Sequence, residues 1–574
     1  MGKTKRIDFS AKRLSALAEK YYSEGKYVSA LRFTYKEIER YGDSLDCFFR
    51  LADIYENMGL SSTAINCWFK ALDCASEEDY PDIYEGLALN YLNMGKEAQS
   101  AFYYNCLIES DEEIPDDIKY QIADIFSEKP KSALKISYPP RLVDYKPELD
   151  KASRALKKGD CKNAVKILEK IEKGSNEYIL SLEMRALALL LSENVEEAKT
   201  VCLEALEQDE NNVRALSTLS AAYFEEGDKV RSLEIARKLC EIQPKDDEEE
   251  YKIATVCCEN GLHLEAFERF SALEKQTPYD GKLLYFKGVS AYNAGKYEES
   301  MEAFAKLCGI YPDAAVAEHF LKEVREYYES LKNGEEREKP ELGYFYQVSQ
   351  KERDKRCQFL MEIGKMPKAE AEVIGIFAHT AGLFRWCFDE LDGVDHDLQY
   401  LACLVAVHSN VDEFLKEVLL DNEVLDLLKI EILRLLYERN EETTIGAVVY
   451  HVYRKIRLLP INIGRKARKK FISAYARTAS KFVIVNPDYA QKIKTASETL
   501  YRALEKYDCF EQAKNVDDCA CAIYLTANLR DMGKDIDAVS LAFDANADRV
   551  RVLLTTVESA KAGYKLNENK KWKE

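Results

Sequence analysis

Six histidines and 101 acidic residues give this 574-residue chain ample material for acid–base or metal chemistry, so spacing decides whether any of it is assembled. There is no H-E-x-x-H pair, no phosphate-cradling glycine-rich loop and no G-x-S-x-G elbow. The densest cluster is "DELDGVDHDLQY", with Asp389, Asp392, Asp395, His396 and Asp397. A polar run ahead of an apolar one reads as an interhelical loop, and Asp395 as a helix cap rather than a ligand. His379, His408 and His451 lie in apolar stretches, where hydrogen-bonded core or boundary roles are expected. Sixteen Cys include no C-x-x-C pair, and Cys519 and Cys521 would point about 200° apart on a helix, a poor zinc geometry. No catalytic residue, metal or cofactor is expected, and the thiols read as the reduced core groups of a cytoplasmic protein.

Charge offers a second kind of chemistry. The formal net charge is -19, which disfavours nucleic-acid binding by the chain as a whole and favours basic or apolar partners. One window runs the other way. Between Glu442 and Asp488 no acidic residue occurs, while Arg454, Lys455, Arg457, Arg465, Lys466, Arg468, Lys469, Lys470, Arg477 and Lys481 do. On a helix Lys466, Lys470, Arg477 and Lys481 would share an arc of about 60°, opposite Phe471, Tyr475 and Phe482. Such a stripe either neutralises an acidic surface of the chain or a partner, or contacts phosphates. The first reading is preferred.

The elements that must position these side chains repeat. Gly295, Gly261, Gly227, Glu193 and Gly159 are spaced by 34 residues; so are Gly59 and Gly25, and Gly95 follows Gly59 after 36. Each marker separates two runs of helical periodicity. Seven residues before it stand Ala18, Ala52, Ala88, Ala152, Ala186, Ser220, Ala254 and Gly288. Five after it stand Ala30, Ala64, Ser100, Ala164, Ala198, Ser232, Ala266 and Ser300. All are small, as two closely packed antiparallel helices require. Trp68, Tyr104, Phe270 and Phe304 supply bulk nine after the marker, and Pro244, Pro278 and Pro312 end second helices.

This constellation resembles the tetratricopeptide repeat (TPR) family over residues 12 to about 313, in eight repeats. The resemblance implies an all-α, TPR α-solenoid in two arrays followed by a C-terminal helical domain. The first array is expected over 12–128, with three repeats and a closing helix from Asp116 to Glu128. The text from Lys129 to Pro147, "KPKSALKISYPPRLVDYKP", breaks the period, and a Pro-rich connector is read over 129–145. The second array, over 146–332, has five repeats and a capping helix from Val316. "KNGEEREKPELG" reads as a polar boundary before a C-terminal helical domain at 345–565.

Family members line a concave groove with positions thirteen, ten, six, three and two before the marker. Carried over, the first groove holds Lys12, Ser15, Glu19 and Tyr22, then Asp46, Phe49, Asp53 and Asn57, then Asp82, Glu85 and Asn93. The second offers Arg214, Tyr251, Lys282, Tyr285, Tyr292 and Asn293. The family's carboxylate clamp for chaperone tails needs Lys and Asn where this chain has Ser15 and Glu19, which disfavours that ligand. The resemblance implies a non-enzymatic scaffold binding protein or peptide segments, basic or amphipathic ones in the acidic first groove. The alternative is a nucleic-acid-associated regulator working through Lys466, Lys470, Arg477 and Lys481.

Beyond the arrays, "DNEVLDLLKIEILRLLYER" predicts a helix with Val424, Leu427, Leu428, Ile432, Leu435 and Leu436 on its apolar stripe. "VDDCACAIYLTANLRDMGK" with "DIDAVSLAFDANADRVRVLL" is similar to the third to fifth helices of a cyclin-like repeat in the transcription initiation factor B family. Asp544 stands where that turn has Gly, and no zinc ribbon precedes it; a plain five-helix bundle is the simpler reading. "MGKTKRIDFSAKRLS" has no apolar run behind its charges, and "VIGIFAHTAGLFRWCF" is broken by His379 and Arg385, so no anchor and no membrane contact are expected.

Overall fold

The computed structural model describes residues 10–110, 118–120, 122–123, 145–389, 395–529 and 531–562. Helix pairs follow the marker register. In the first array they are Ala11–Ser23 with Tyr27–Tyr41, Leu45–Asn57 with Ser61–Cys74, and Tyr80–Asn93 with Glu97–Glu109. Five pairs form the second, from Lys146–Lys157 with Cys161–Leu168 to Gly281–Asn293 with Tyr297–Ile310. The helix Ala315–Asn333 follows them. The Pro-rich connector and most of the closing helix expected at 116–128 fall outside the described residues, apart from short helical pieces at 118–120 and 122–123.

Packing explains the register. Every small residue seven before and five after a marker is buried. At the last pair a Cβ on Gly288 would lie 2.8 Å from the Phe304 ring, and the Ser300 hydroxyl donates to the Gly288 carbonyl at 2.8 Å. All eight markers have positive φ, including Glu193 at 63°, so a left-handed residue closes each first helix.

The chain divides into two compact units. One joins residues 1–126 with 353–388 and 394–574; the other joins 127–352 with 389–393. The first array and the C-terminal region are therefore one body, and the boundary expected at 345 falls inside a segment that packs with the second array.

The C-terminal region is helical, with one addition that its sequence reading lacked. β1 (Thr443–Val449) and β2 (Val452–Leu458) form an antiparallel hairpin, registered from Thr443 opposite Leu458 to Val449 opposite Val452. Its turn residues, Tyr450 and His451, have φ of 54° and 62°. The helix before the hairpin, Asp426–Glu438, buries a different face from the one expected. Its buried face is Lys429, Ile432, Leu433, Leu436 and Tyr437, whereas Leu427 is exposed. Ile432 and Leu436 of the expected stripe are buried, and Lys429 joins them by donating to the Val448 carbonyl of β1 at 2.6 Å. No described helix is long and apolar enough to cross a membrane.

Candidate peptide-binding grooves

The first helices of repeats one and two bring Ser15, Glu19, Tyr22, Asp46, Phe49, Arg50 and Asp53 around a cleft of about 390 Å³. Asp53 lies close enough to Tyr22 to act on its phenol, and Asn57 reaches back to donate to the Tyr22 hydroxyl at 2.8 Å. Phe49 is fixed edge-on to Trp68, with ring centroids 5.2 Å apart. Burial, then the nearby Glu56, holds the Asp53 carboxyl above its usual range. Burial, then Asp53, raises the Tyr22 phenol. A ligand cation would relieve this crowding of negative groups.

Arg50 is the lining residue that carry-over from family positions missed. It donates to Glu37 at 2.9 Å and to the Ser15 hydroxyl at 2.7 Å, and lies 3.9 Å from Glu19. Three carboxylates against this one guanidinium leave the cleft acidic, and Arg50 is already neutralised by Glu37. Lys12, Asp82, Glu85 and Asn93 do not line the cleft.

In the second array the expected residues are engaged within their own unit. Arg214 pairs with Glu248 at 2.8 Å and lies 3.6 Å from Glu183. Tyr251 meets Phe270 and Phe286 edge-on, and the Lys282 ammonium lies over the Phe286 ring. Tyr285, Tyr292 and Asn293 bind a later segment of the chain. The Tyr285 hydroxyl sits 2.7 Å from the Gly343 carbonyl and 2.8 Å from that of Phe345. The Tyr292 hydroxyl donates to the Pro340 carbonyl at 2.8 Å, and the Asn293 amide to that of Leu342 at 3.2 Å. The segment read as a polar boundary therefore ends in a strap. Its signal was present in the sequence: Leu342, Tyr344, Tyr346 and Val348 alternate with outward-facing residues.

The basic arc is not assembled as expected. The helix begins at Arg468, after Ala467 in the left-handed region, so Lys466 lies outside the helix that carries Lys470, Arg477 and Lys481. Lys466 pairs with Asp508, Arg477 pairs with Asp517, and Lys481 lies over the Phe543 ring. The acidic counterpart of the first two is the C-terminal region itself, not the repeat surface.

Of the polar cluster, Asp389 accepts from the Val316 amide at 2.7 Å and from the Tyr346 hydroxyl. Asp395 caps the helix His396–His408 by accepting from the Leu398 amide, while Asp392 lies outside the described residues. His408 bonds the Met366 carbonyl at 2.9 Å, and His451 lies 2.6 Å from the Asn422 side chain. Cys519 and Cys521 are buried among apolar groups, which pushes both thiols up.

Comparison with known proteins gives three kinds of likeness. The curated TPR repeat-containing protein YvcD of Bacillus subtilis (strain 168) is 28% identical over 165 residues, which is 28% of this chain and 34% of the relative. The chain thus spans about a third of that relative's length. Among solved structures, the human IFIT1 dimer with PPP-AAAA covers 85% of this chain and 94% of its own, at 13% identity and a TM-score of 0.26. Yeast Tom70 covers 96% of each chain at 13% identity and a TM-score of 0.21. Neither superposition is close enough to bear on what this chain does. Residues 259–315 match the family model described as tetratricopeptide repeat. The repeat character expected from the 34-residue register is thus supported by a family match where Gly261 and Gly295 make successive turns.

Proposed function

We propose that this protein is a non-enzymatic, cytoplasmic interaction scaffold whose first groove holds a basic or amphipathic peptide segment of a partner protein. The observation that carries this reading is the first cleft. Glu19, Asp46 and Asp53 face a space of about 390 Å³ walled by Tyr22 and Phe49. A Lys or Arg from the ligand meets the partly desolvated Asp53 and the exposed Glu19 and Asp46, and neighbouring apolar side chains meet the two rings. Repeats display such positions along one surface, so successive residues of a ligand meet successive repeats. Sixteen free cysteines are in keeping with a reducing compartment.

The nucleic-acid reading has less support, because Lys466 and Arg477 spend their charge on Asp508 and Asp517. The test compares amphipathic peptides bearing Lys or Arg with matched neutral ones at low salt. Replacing Asp46 and Asp53 by Lys should weaken the basic peptides by about tenfold or more while leaving neutral ones unaffected. Equal retention of basic peptides by both proteins would remove the first groove as the site.

A further inference from the structure

The concave face of the second array already holds a peptide, and that peptide belongs to the chain. After the helix Ala315–Asn333, Gly334 turns in the left-handed region at φ 71°, and mostly exposed polar residues lead to Pro340. From there a strap runs to Ser349, bent over residues 344–347, where the Gln347 amide donates to the Phe345 carbonyl at 2.7 Å. Leu342, Tyr346 and Val348 are buried and Tyr344 is half-buried, whereas Glu341, Gly343, Phe345 and Gln347 face outward. Inward side chains are held one by one. The Tyr344 hydroxyl lies 2.8 Å from His263 Nδ1, with the two rings stacked. The Tyr346 ring packs edge-on to Tyr285 at 4.8 Å, and its hydroxyl donates to Asp389.

Two features mark a ligand site rather than a core. First, the array reads the strap's main chain: carbonyls of residues 340, 342, 343 and 345 accept from Tyr292, Asn293 and Tyr285. Main-chain carbonyls are common to all sequences, so another segment that takes the same bent path supplies them as well. Second, the strap leaves space beside it, a cleft of about 550 Å³ that reaches Asn293 and Phe320.

The geometry points to a second peptide site, selective for a segment with apolar and aromatic side chains at alternate positions that bends as the strap does, of which residues 340–348 are the built-in competitor. Its partner is a protein with an exposed, weakly charged segment of that alternation, unlike the basic ligand of the first groove. The strap stays in place because its tether gives an effective concentration of about millimolar, which a partner must outcompete. This inference shares with the scaffold reading only the premise that concave repeat faces hold peptides.

The probe is a labelled peptide of residues 340–349, which carries no Lys or Arg and so has no call on the first groove. The full chain should bind it weakly. Replacing Tyr344 and Tyr346 by Ser should raise its affinity by about tenfold or more, as the competitor is lost. Adding Tyr285→Phe should take most of that gain away. Tyr346→Phe, which keeps the ring and loses only the bond to Asp389, should give a smaller rise and decides the matter if the double variant fails to fold. Asp46→Lys with Asp53→Lys should change none of these values, which separates failure here from failure of the first groove. No rise in either strap variant overturns the proposal.

Discussion

Lys429 shows how one side chain can depart from its pattern position. Its ammonium is buried against the Val448 carbonyl, and desolvation lowers its pKa from the usual 10.5 to about 8, with Asp421 and Asp426 opposing. Because the folded value is depressed, the unfolded chain binds more protons between pH 8 and 10.5, and this group's contribution to stability rises with pH across that window. The full span is on the order of 3 kcal/mol. Any stability advantage of Lys429→Met measured at pH 7 should therefore shrink by pH 10; an advantage constant with pH would show that Lys429 is not a buried cation. The small residues beside each marker were legible because their size is dictated by contacts inside the repeat. Arg50 was not, since its place in the cleft depends on Glu37 and Ser15, which no spacing rule links to it.

Elements were legible where their period was long and local. The eight helix pairs repeat one contact between neighbours in sequence, and a 34-residue register records it. The hairpin had only a short alternation inside a basic window, and its turn, Tyr450-His451, lacks the Asn or Gly that announces two left-handed residues. The basic arc failed for a related reason: Ala467 starts the helix late, which puts Lys466 in a turn. The hairpin's position depends on Gly446, where a Cβ would fall 2.1 Å from Asp73 Oδ1 and 2.9 Å from the Tyr453 ring. Gly446→Ala should cost about 1–3 kcal/mol by overpacking. The Tyr453 hydroxyl's bond to Asp73, 2.8 Å long, should be lost with it. An unchanged melting temperature would mean that the strand stands off from the helix Ser61–Cys74.

At the scale of the molecule, the first array is completed by residues distant in sequence. Tyr103 donates to the His451 carbonyl at 2.7 Å, Tyr91 to Asn422 at 2.8 Å, and Asn66 bonds both Asp421 and the Asn422 amide. These bonds and the His451 ring tie the second and third repeats to residues 421–453, so the array packs against the C-terminal region. Residues 10–126 expressed alone should therefore melt lower and self-associate, and residues 350–574 supplied in the same cell should copurify with them. Independent behaviour of the two fragments would break this unit apart. The sequence by itself determined the repeat register, the all-α class and the acidic, aromatic character of the first groove, because each arises from contacts between neighbouring repeats. Only the tertiary structure decided that the C-terminal region packs on the first array and that a strap lies against the second. Those contacts pair Tyr103 with His451 and Tyr285 with Phe345, residues whose separation in sequence follows no period, and they depend on burial and main-chain hydrogen bonds that exist only once the chain has folded.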